Sequence, residues 1–293
     1  MPHLNYPRLL EELEVLSRWW RQMAVALFVL VYLVLVVFLN LSYLRYEAPA
    51  DGRRLRDLGH ELVPRLPDAY FPYRDVPMLL IFACAACVVA GATRVLWCAE
   101  TEAKRTPYVA NMVRRFLVAY ALGHVLRAMT YLPTTIPGGN DKCLDRARLA
   151  ADQPTLLQCF YRTASVETNC GDEMFSGHVM LCVILVAAVR EYAPRALGTR
   201  AGRALFAAAV VLLACEALSI IAARVHYTTD VVVAVYVTVM MWQLLLVYSP
   251  DLEPLAGSPL GVKSAFVASV DPEEGVGLTA AKEGSVTWGG GAQ

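Results

Sequence analysis

Long apolar segments alternate with polar segments along this chain, and the pattern predicts helices that cross a membrane. A helix rises about 1.5 Å per residue, so it needs roughly 20 apolar residues to span about 30 Å of hydrocarbon. Six segments approach this length, the fourth only with its flanking residues. We therefore predict an all-α, polytopic membrane protein with six transmembrane helices. The predicted spans are Met23–Leu39, Val76–Cys98, Phe116–Leu132, His178–Val189, Ala204–Ala223 and Val231–Val247.

The number of spans sorts the polar segments between the two membrane faces. Six spans place both termini on one face and the loops 42–75, 133–177 and 224–230 on the other. The end of the chain is rich in Gly, Ser, Pro, Ala and Glu, which is typical of disorder. The predicted domains are an amphipathic N-terminal segment (1–21), a six-span catalytic membrane domain (22–249) and a disordered C-terminal tail (250–293).

Composition supports a lipid environment and excludes several classes of protein. The 293 residues are 57% hydrophobic and 18% charged, with mean hydropathy +0.45 and zero formal net charge. This balance gives no basic surface for nucleic acid, so we expect no nucleic-acid partner. The sequence contains no Walker loop, no GxGxxG motif and no pair of CxxC motifs. We therefore predict no metal and no cofactor.

Cysteine placement bears on the compartment. Cys143, Cys159 and Cys170 cluster in the 133–177 loop, which favours an oxidising compartment. A Cys143–Cys159 disulfide and unpaired thiols both fit this spacing. Lysine and arginine between spans on the terminus face favour a cytosolic position for that face, although the 42–75 loop is also rich in arginine.

Two short segments on the loop face carry candidate chemistry. In His226-Tyr-Thr-Thr-Asp230, the carboxylate lies one helical turn after the imidazole and can fix its tautomer, as a nucleophile requires. In the second segment, Ser176 and Gly177 begin a predicted helix whose N-terminal N–H groups favour a phosphate. His178 follows them and suits a general acid.

These segments resemble motifs of the sphingomyelin synthase family, within the wider superfamily of lipid phosphate phosphatases. Cys170-Gly-Asp-Glu-Met-Phe-Ser-Gly-His178 is similar to the CGD-x3-SGH motif, with Val179 where the family usually has threonine. Residues 226–236 resemble the HYT-x-DV segment, and Arg127 falls in the register of the third-span motif. The resemblance implies a helical core like that of the lipid phosphate phosphatases.

The resemblance also implies a mechanism and a set of site residues. His226 attacks the phosphorus of a donor phospholipid, Asp230 orients it, and His178 acts first as acid and then as base toward ceramide. Asp172 orients His178 and Arg127 faces the phosphate. The predicted catalytic residues are thus His178, His226 and Asp230, and the predicted substrate-binding residues are Asp172, Ser176, Gly177, Arg127 and Tyr227.

Other functions remain open on the sequence. A lipid phosphatase or a hydrolase of the phospholipase C type would use the same histidine with water as acceptor, and a channel or scaffold would need no chemistry. The Lys-x6-Arg-Pro element of lipid phosphatases is absent, and Ile220 stands where their arginine precedes the second histidine. Loss of these cations favours a phosphodiester substrate, and therefore a transferase.

The resemblance leads us to expect ceramide and a glycerophospholipid as substrates, with phosphocholine as the default head group and inositol or ethanolamine as alternatives. Glu173 fits either attraction of a cationic head group or a solvated loop acid. The implied location is the Golgi or plasma membrane, with the site on the luminal or extracellular face. The oligomeric state is not predicted.

Overall fold

The computed structural model describes residues 5–48, 54–97, 107–140, 143–164 and 170–251, and all regular structure in these ranges is helical. The predicted disordered tail lies outside these ranges except for Pro250 and Asp251, and its disorder stays a prediction.

The first helix is continuous over 40 residues. It begins as α1 (Tyr6–Phe28), passes through a π-helical stretch (Val29–Phe38) and ends as α2 (Leu39–Arg45). Asn5 caps its start, because its side chain accepts the Arg8 N–H at 3.2 Å. The predicted boundary between residues 21 and 22 falls inside this helix, and the domain division stays a prediction.

Five further long helices follow in the described ranges, with short helices between some of them. The long helices are α4 (Val76–Thr93), α5 (Val109–Tyr131), α7 (Gly177–Leu197), α8 (Thr199–Ala222) and α9 (Thr228–Tyr248). The short ones are α3 (Leu58–Leu62), α6 (Arg146–Asp152) and the 3-10 turns Asp68–Tyr73, Arg94–Trp97 and Gln158–Phe160.

Four helical segments of the described chain are long and apolar enough to cross a membrane: Tyr6–Arg45, Ala69–Thr93, Thr199–Ala222 and Thr228–Tyr248. The other two predicted spans correspond to α5 and α7, which are helices of 23 and 21 residues. Helix α5 is not among the four because it carries three buried arginines and a buried histidine, which lower its hydropathy. Of the six spans that the sequence predicts, four therefore meet the requirements of length and composition in the structure.

Helix α7 lies in the middle of the fold and packs against α4, α5, α8 and α9. Most of its apolar side chains belong to one buried cluster. Helix α5 comes close to it at Gly123, where a Cβ atom would lie 2.5 Å from the Met180 sulfur. This approach fixes the polar face of α5 beside the start of α7.

A disulfide joins Cys143 to Cys170, with their Cα atoms 5.5 Å apart. The Cys143–Cys159 bridge that the sequence allowed is therefore wrong, and so are unpaired thiols for Cys143 and Cys170. Cys143 and Cys170 both lie beside the end of the first helix, where the Tyr46 hydroxyl donates to the Cys143 carbonyl at 3.0 Å. Cys159 lies in a separate turn and donates to the Thr155 carbonyl at 3.4 Å.

Candidate active site

His226 precedes Tyr227, the N-cap of α9, and Asp230 lies in the first turn of that helix. The Asp230 Oδ2 atom accepts the Tyr227 N–H at 3.0 Å and lies 3.6 Å from His226 Nδ1. A single carboxylate oxygen of Asp230 therefore caps the helix and faces the imidazole. His226 and Asp230 are therefore neighbours, as predicted, but His226 lies before the helix and not on the same helix face as Asp230.

A second carboxylate contacts the same imidazole. Glu173 is 5% exposed, and its Oε2 atom lies 3.4 Å from His226 Nδ1. It is a buried neighbour of His226 and not a solvated acid, while attraction of a cationic head group stays a prediction. Burial lowers the pKa of His226, but contacts with Asp230 and Glu173 outweigh burial and raise this pKa above its usual value. Burial raises the pKa of Glu173.

The first loop (residues 42–75) makes hydrogen bonds to the segment that contains His226. His60, in α3, donates from Nε2 to the His226 carbonyl at 3.0 Å. Asp57 accepts the Thr228 N–H at 2.9 Å and its hydroxyl at 2.7 Å. Sequence reasoning missed both residues, because they are about 170 positions away from their partners and lie outside the two histidine motifs.

Arg127, on α5, organises the loop before His178. Its guanidinium donates to the Phe175 carbonyl, to the Asp172 carbonyl at 2.9 Å and to Asp172 Oδ2 at 2.5 Å. A Cβ atom at Gly177 would lie 3.4 Å from this guanidinium, so Gly177 lies directly beside Arg127. In the described chain, Asp172 pairs with Arg127 and has no hydrogen bond to His178. No hydrogen bond among the described residues therefore supports the implied role of Asp172 in orienting His178.

Ser176 is the N-cap of α7, at the helix start that its sequence position predicted. Its side chain accepts the Val179 N–H at 3.4 Å, and it is fully buried. Tyr227 is also buried, and its hydroxyl donates to the Pro137 carbonyl at 2.9 Å. These two residues and Asp230 lie behind the site and do not line the cavity described next.

A cavity of about 540 Å³, the central cavity, brings the remaining predicted residues together. One part of its wall is apolar and comes from the first helix, and another part is charged. Five predicted site residues line it: Arg127, Asp172, Gly177, His178 and His226. The other lining residues are Leu30, Val31, Val34, Leu35, Leu39, Arg74, Asp75, Met78, Tyr120, His124, Asn140, Cys143, Cys170, Glu173, Leu181 and Val225.

Glu173, His226 and Asp230 also form a geometric candidate for a metal site, because their ligand atoms lie within 4.8 Å of one another. Both carboxylates lie beside His226 Nδ1, and a protonated imidazole balances their charge without a metal ion. The prediction of no metal is therefore not tested by this geometry.

Comparisons with known proteins connect this geometry to lipid enzymes. Residues 169–247 match the family model "PAP2 superfamily C-terminal", and this range contains both histidine motifs. A phosphatidylinositol:ceramide inositolphosphotransferase of Trypanosoma cruzi is 26% identical over 257 residues, which cover 78% of this chain and 75% of the relative. A phosphatidylethanolamine:ceramide ethanolaminephosphotransferase of Trypanosoma brucei brucei is 26% identical over 241 residues, 72% of each chain.

A third relative, phosphatidylcholine:ceramide cholinephosphotransferase 2 of Rattus norvegicus, is 29% identical over 189 residues, 61% of this chain and 48% of the relative. The chain is related to the sphingomyelin synthase family. The three relatives carry three different head groups in their names.

In this relative of the sphingomyelin synthases, the family-model match contains Asp172, Glu173, His178, His226 and Asp230. Its boundaries exclude Arg127 and the first-loop residues that hold His226. The site is therefore assembled from a recognisable C-terminal part and from upstream elements that the structure brings to it.

Proposed function

We propose that the protein is a ceramide phosphotransferase, which moves the phospho-head group of a glycerophospholipid to the primary hydroxyl of ceramide and releases diacylglycerol. The relatives' names support a phosphotransferase. The observation that carries the proposal is the placement of His226 against two carboxylates, in a cavity that His178 and Arg127 also line.

In the first step, His226 Nε2 attacks the phosphorus and forms an N–P bond while the P–O bond to diacylglycerol breaks. His178 gives its proton to the departing oxygen. The imidazole becomes cationic as it is phosphorylated, and the carboxylates of Glu173 and Asp230 beside Nδ1 stabilise that charge.

In the second step, His178 removes the proton from the ceramide hydroxyl, whose oxygen attacks the phosphohistidine phosphorus. The N–P bond breaks, and the electron pair returns to His226. His178 is again protonated, so both histidines recover their starting states. The two roles need two histidines at one cavity, and both line the central cavity.

An apolar cavity wall favours a lipid as acceptor over water. Leu30, Val31, Val34, Leu35 and Leu39 of the first helix line the central cavity. These side chains suit the hydrocarbon part of a lipid substrate. This feature supports transfer over hydrolysis, because the acceptor must compete with water for the phosphohistidine.

We propose that α5 and α7 also cross the membrane, which gives six spans. Both helices pack among the four candidate spans, which is the setting in which polar groups are tolerated at membrane depth. The disulfide Cys143–Cys170 lies on the same face as the site and supports an oxidising compartment there. We propose a luminal or extracellular site in the Golgi or plasma membrane.

Product analysis tests the function. Purified protein in liposomes receives fluorescent ceramide and one donor at a time: phosphatidylcholine, our default, then phosphatidylinositol and phosphatidylethanolamine. A new phosphosphingolipid is expected from one donor, with loss of about 1,000-fold or more in His226→Ala, because the nucleophile is removed. Diacylglycerol release without a ceramide product would show a hydrolase. Equal product from wild type and His226→Ala would overturn the proposal.

A further inference from the structure

His124 is a buried polar residue that the proposed mechanism does not use. It lies on α5, is 7% exposed and lines the central cavity. Its Nδ1 atom is enclosed and has no hydrogen-bond partner among the described residues. An enclosed polar atom without a partner is destabilising, and a histidine within a predicted span calls for a functional reason.

The ring of His124 is held by a neighbour on its own helix. The Tyr120 and His124 rings meet edge to face, with centroids 4.6 Å apart and an interplanar angle of 78°. Tyr120, His124 and Arg127 are spaced i, i+4 and i+7, so they share one face of α5, and all three line the cavity. The face is a row of polar groups that starts at Arg127 and descends along the helix.

The row faces a cavity that is apolar on the side of the first helix, where Val34 and Leu35 are among the lining residues. A membrane helix has no packing reason to present a hydroxyl, an imidazole and a guanidinium to an apolar cavity. A ligand with an apolar body and polar groups along one side fits both walls.

The level of His124 along α5 indicates which part of a lipid it meets. Arg127 contacts the loop before His178 and therefore marks the phosphate end of the cavity. His124 lies three residues earlier, roughly 4.5 Å further from that end at about 1.5 Å per residue. In ceramide, the C3 hydroxyl and the amide are the polar groups next to the reacting C1 oxygen.

The protonation of the ring follows from which nitrogen is enclosed. A buried N–H without an acceptor is rarer than an unfilled acceptor, so the enclosed Nδ1 keeps its lone pair and Nε2 carries the proton. Nε2 is then the donor available to a molecule in the cavity.

Resting on the proposed function, we propose that His124 is a specificity residue for the acceptor and donates from Nε2 to the C3 hydroxyl oxygen of ceramide. Diacylglycerol carries an ester, and not a free hydroxyl, at the carbon that corresponds to C3 of ceramide, so the contact distinguishes the incoming acceptor from the departing product. It does not change the chemistry at phosphorus.

The kinetic test compares ceramide with 3-deoxyceramide, which keeps the C1 hydroxyl. Wild type is expected to prefer ceramide by about 10-fold or more in kcat/KM, since one lost hydrogen bond in a buried site corresponds to roughly tenfold. In His124→Phe the preference should fall toward one, through a higher KM for ceramide with an unchanged KM for the donor. His124→Gln, which keeps a side-chain N–H donor, should restore part of it.

Met129→Leu is the matched control, because Met129 is on the same helix, is 68% exposed and does not line the cavity. It should discriminate as wild type does. An unchanged preference in His124→Phe, or an equal rise in the KM of donor and acceptor, would overturn the proposal.

A binding measurement separates this proposal from the function on which it rests. The thermal midpoint of each variant in detergent is measured with short-chain ceramide and with 3-deoxyceramide. Ceramide should raise the midpoint more than its analogue in wild type and His124→Gln, but equally in His124→Phe. This result in a protein that makes no product would uphold the ceramide subsite and reject the transferase. Equal shifts in wild type would reject the subsite, whatever the turnover.

Discussion

Replacing Glu173 by glutamine should move the acid limb of the pH–rate profile to lower pH. The change removes one of two carboxylates beside His226 Nδ1 and keeps the size of the side chain. At 3.4 Å, two unit charges attract by about 5 kcal/mol at an effective dielectric constant of 20. Burial raises the pKa of Glu173, so it carries only part of that charge near neutral pH. We therefore expect a shift of about 1–2 pH units, at about 1.4 kcal/mol per unit.

The sign follows from the proposed role of His226. A nucleophilic imidazole must be unprotonated at Nε2, and the pKa of His226 is raised by its carboxylate neighbours against the effect of burial. Activity should therefore rise as pH increases through this raised pKa. Without Glu173 the imidazolium is less stable, so it loses its proton at lower pH. Asp230 remains in place and still orients the ring.

The assay is kcat/KM for the donor phospholipid between pH 5 and pH 10 at saturating fluorescent ceramide, since in a two-step transfer this parameter reports the groups of the free enzyme, in which His226 is not yet phosphorylated. Glu191→Gln is the matched control, because Glu191 pairs with Arg195 at 2.7 Å on α7, away from His226. Its profile should match wild type. An acid limb that stays in place or moves upward in Glu173→Gln would refute a charged Glu173–His226 interaction.

Two further changes test the support of the site. Cys143→Ser removes a disulfide whose cysteines are 27 residues apart, so the free energy of unfolding should fall by about 3.5 kcal/mol. The measurement is the thermal midpoint in detergent, which should be lower than in wild type. Cys159→Ser is the control, because Cys159 forms no disulfide, and it should lower the midpoint much less. Gly171→Ala places a Cβ atom 2.3 Å from the Ser42 carbonyl oxygen, so we expect the protein to be destabilised by about 1–3 kcal/mol and kcat to fall. An unchanged kcat would contradict this prediction.

Periodicity and span parity predicted much of this arrangement. The apolar segments gave the long helices, and parity placed the His178 and His226 segments on one face. The structure has both residues lining one cavity. The start of α7 at Ser176 followed from a local rule, because a serine before a glycine and an apolar run is a helix cap. Local signals of this kind depend on few neighbouring residues and can be recognised from one sequence.

The residues that sequence reasoning missed act over long distances. His60 reaches the His226 carbonyl, and Asp57 reaches Thr228, through a loop whose path has no periodic pattern. Glu173 was recognised as a candidate, but its contact depends on how the 170–176 loop folds back on the start of α9. The disulfide partner of Cys143 was missed for the same reason, since thiol spacing does not determine connectivity.

The charges around the central cavity explain why a phosphodiester suits it. Among the described lining residues, the arginines are Arg74 and Arg127, and each has a carboxylate partner: Asp75 at 3.1 Å and Asp172 at 2.5 Å. Neither arginine therefore offers an uncompensated positive charge. A phosphomonoester carries about −1.5 to −2 at neutral pH and would need such charges, whereas a phosphodiester carries one. A site without an uncompensated arginine therefore suits the single charge of a phosphodiester, which connects the absence of the phosphatase cations to the transfer of a phosphodiester head group.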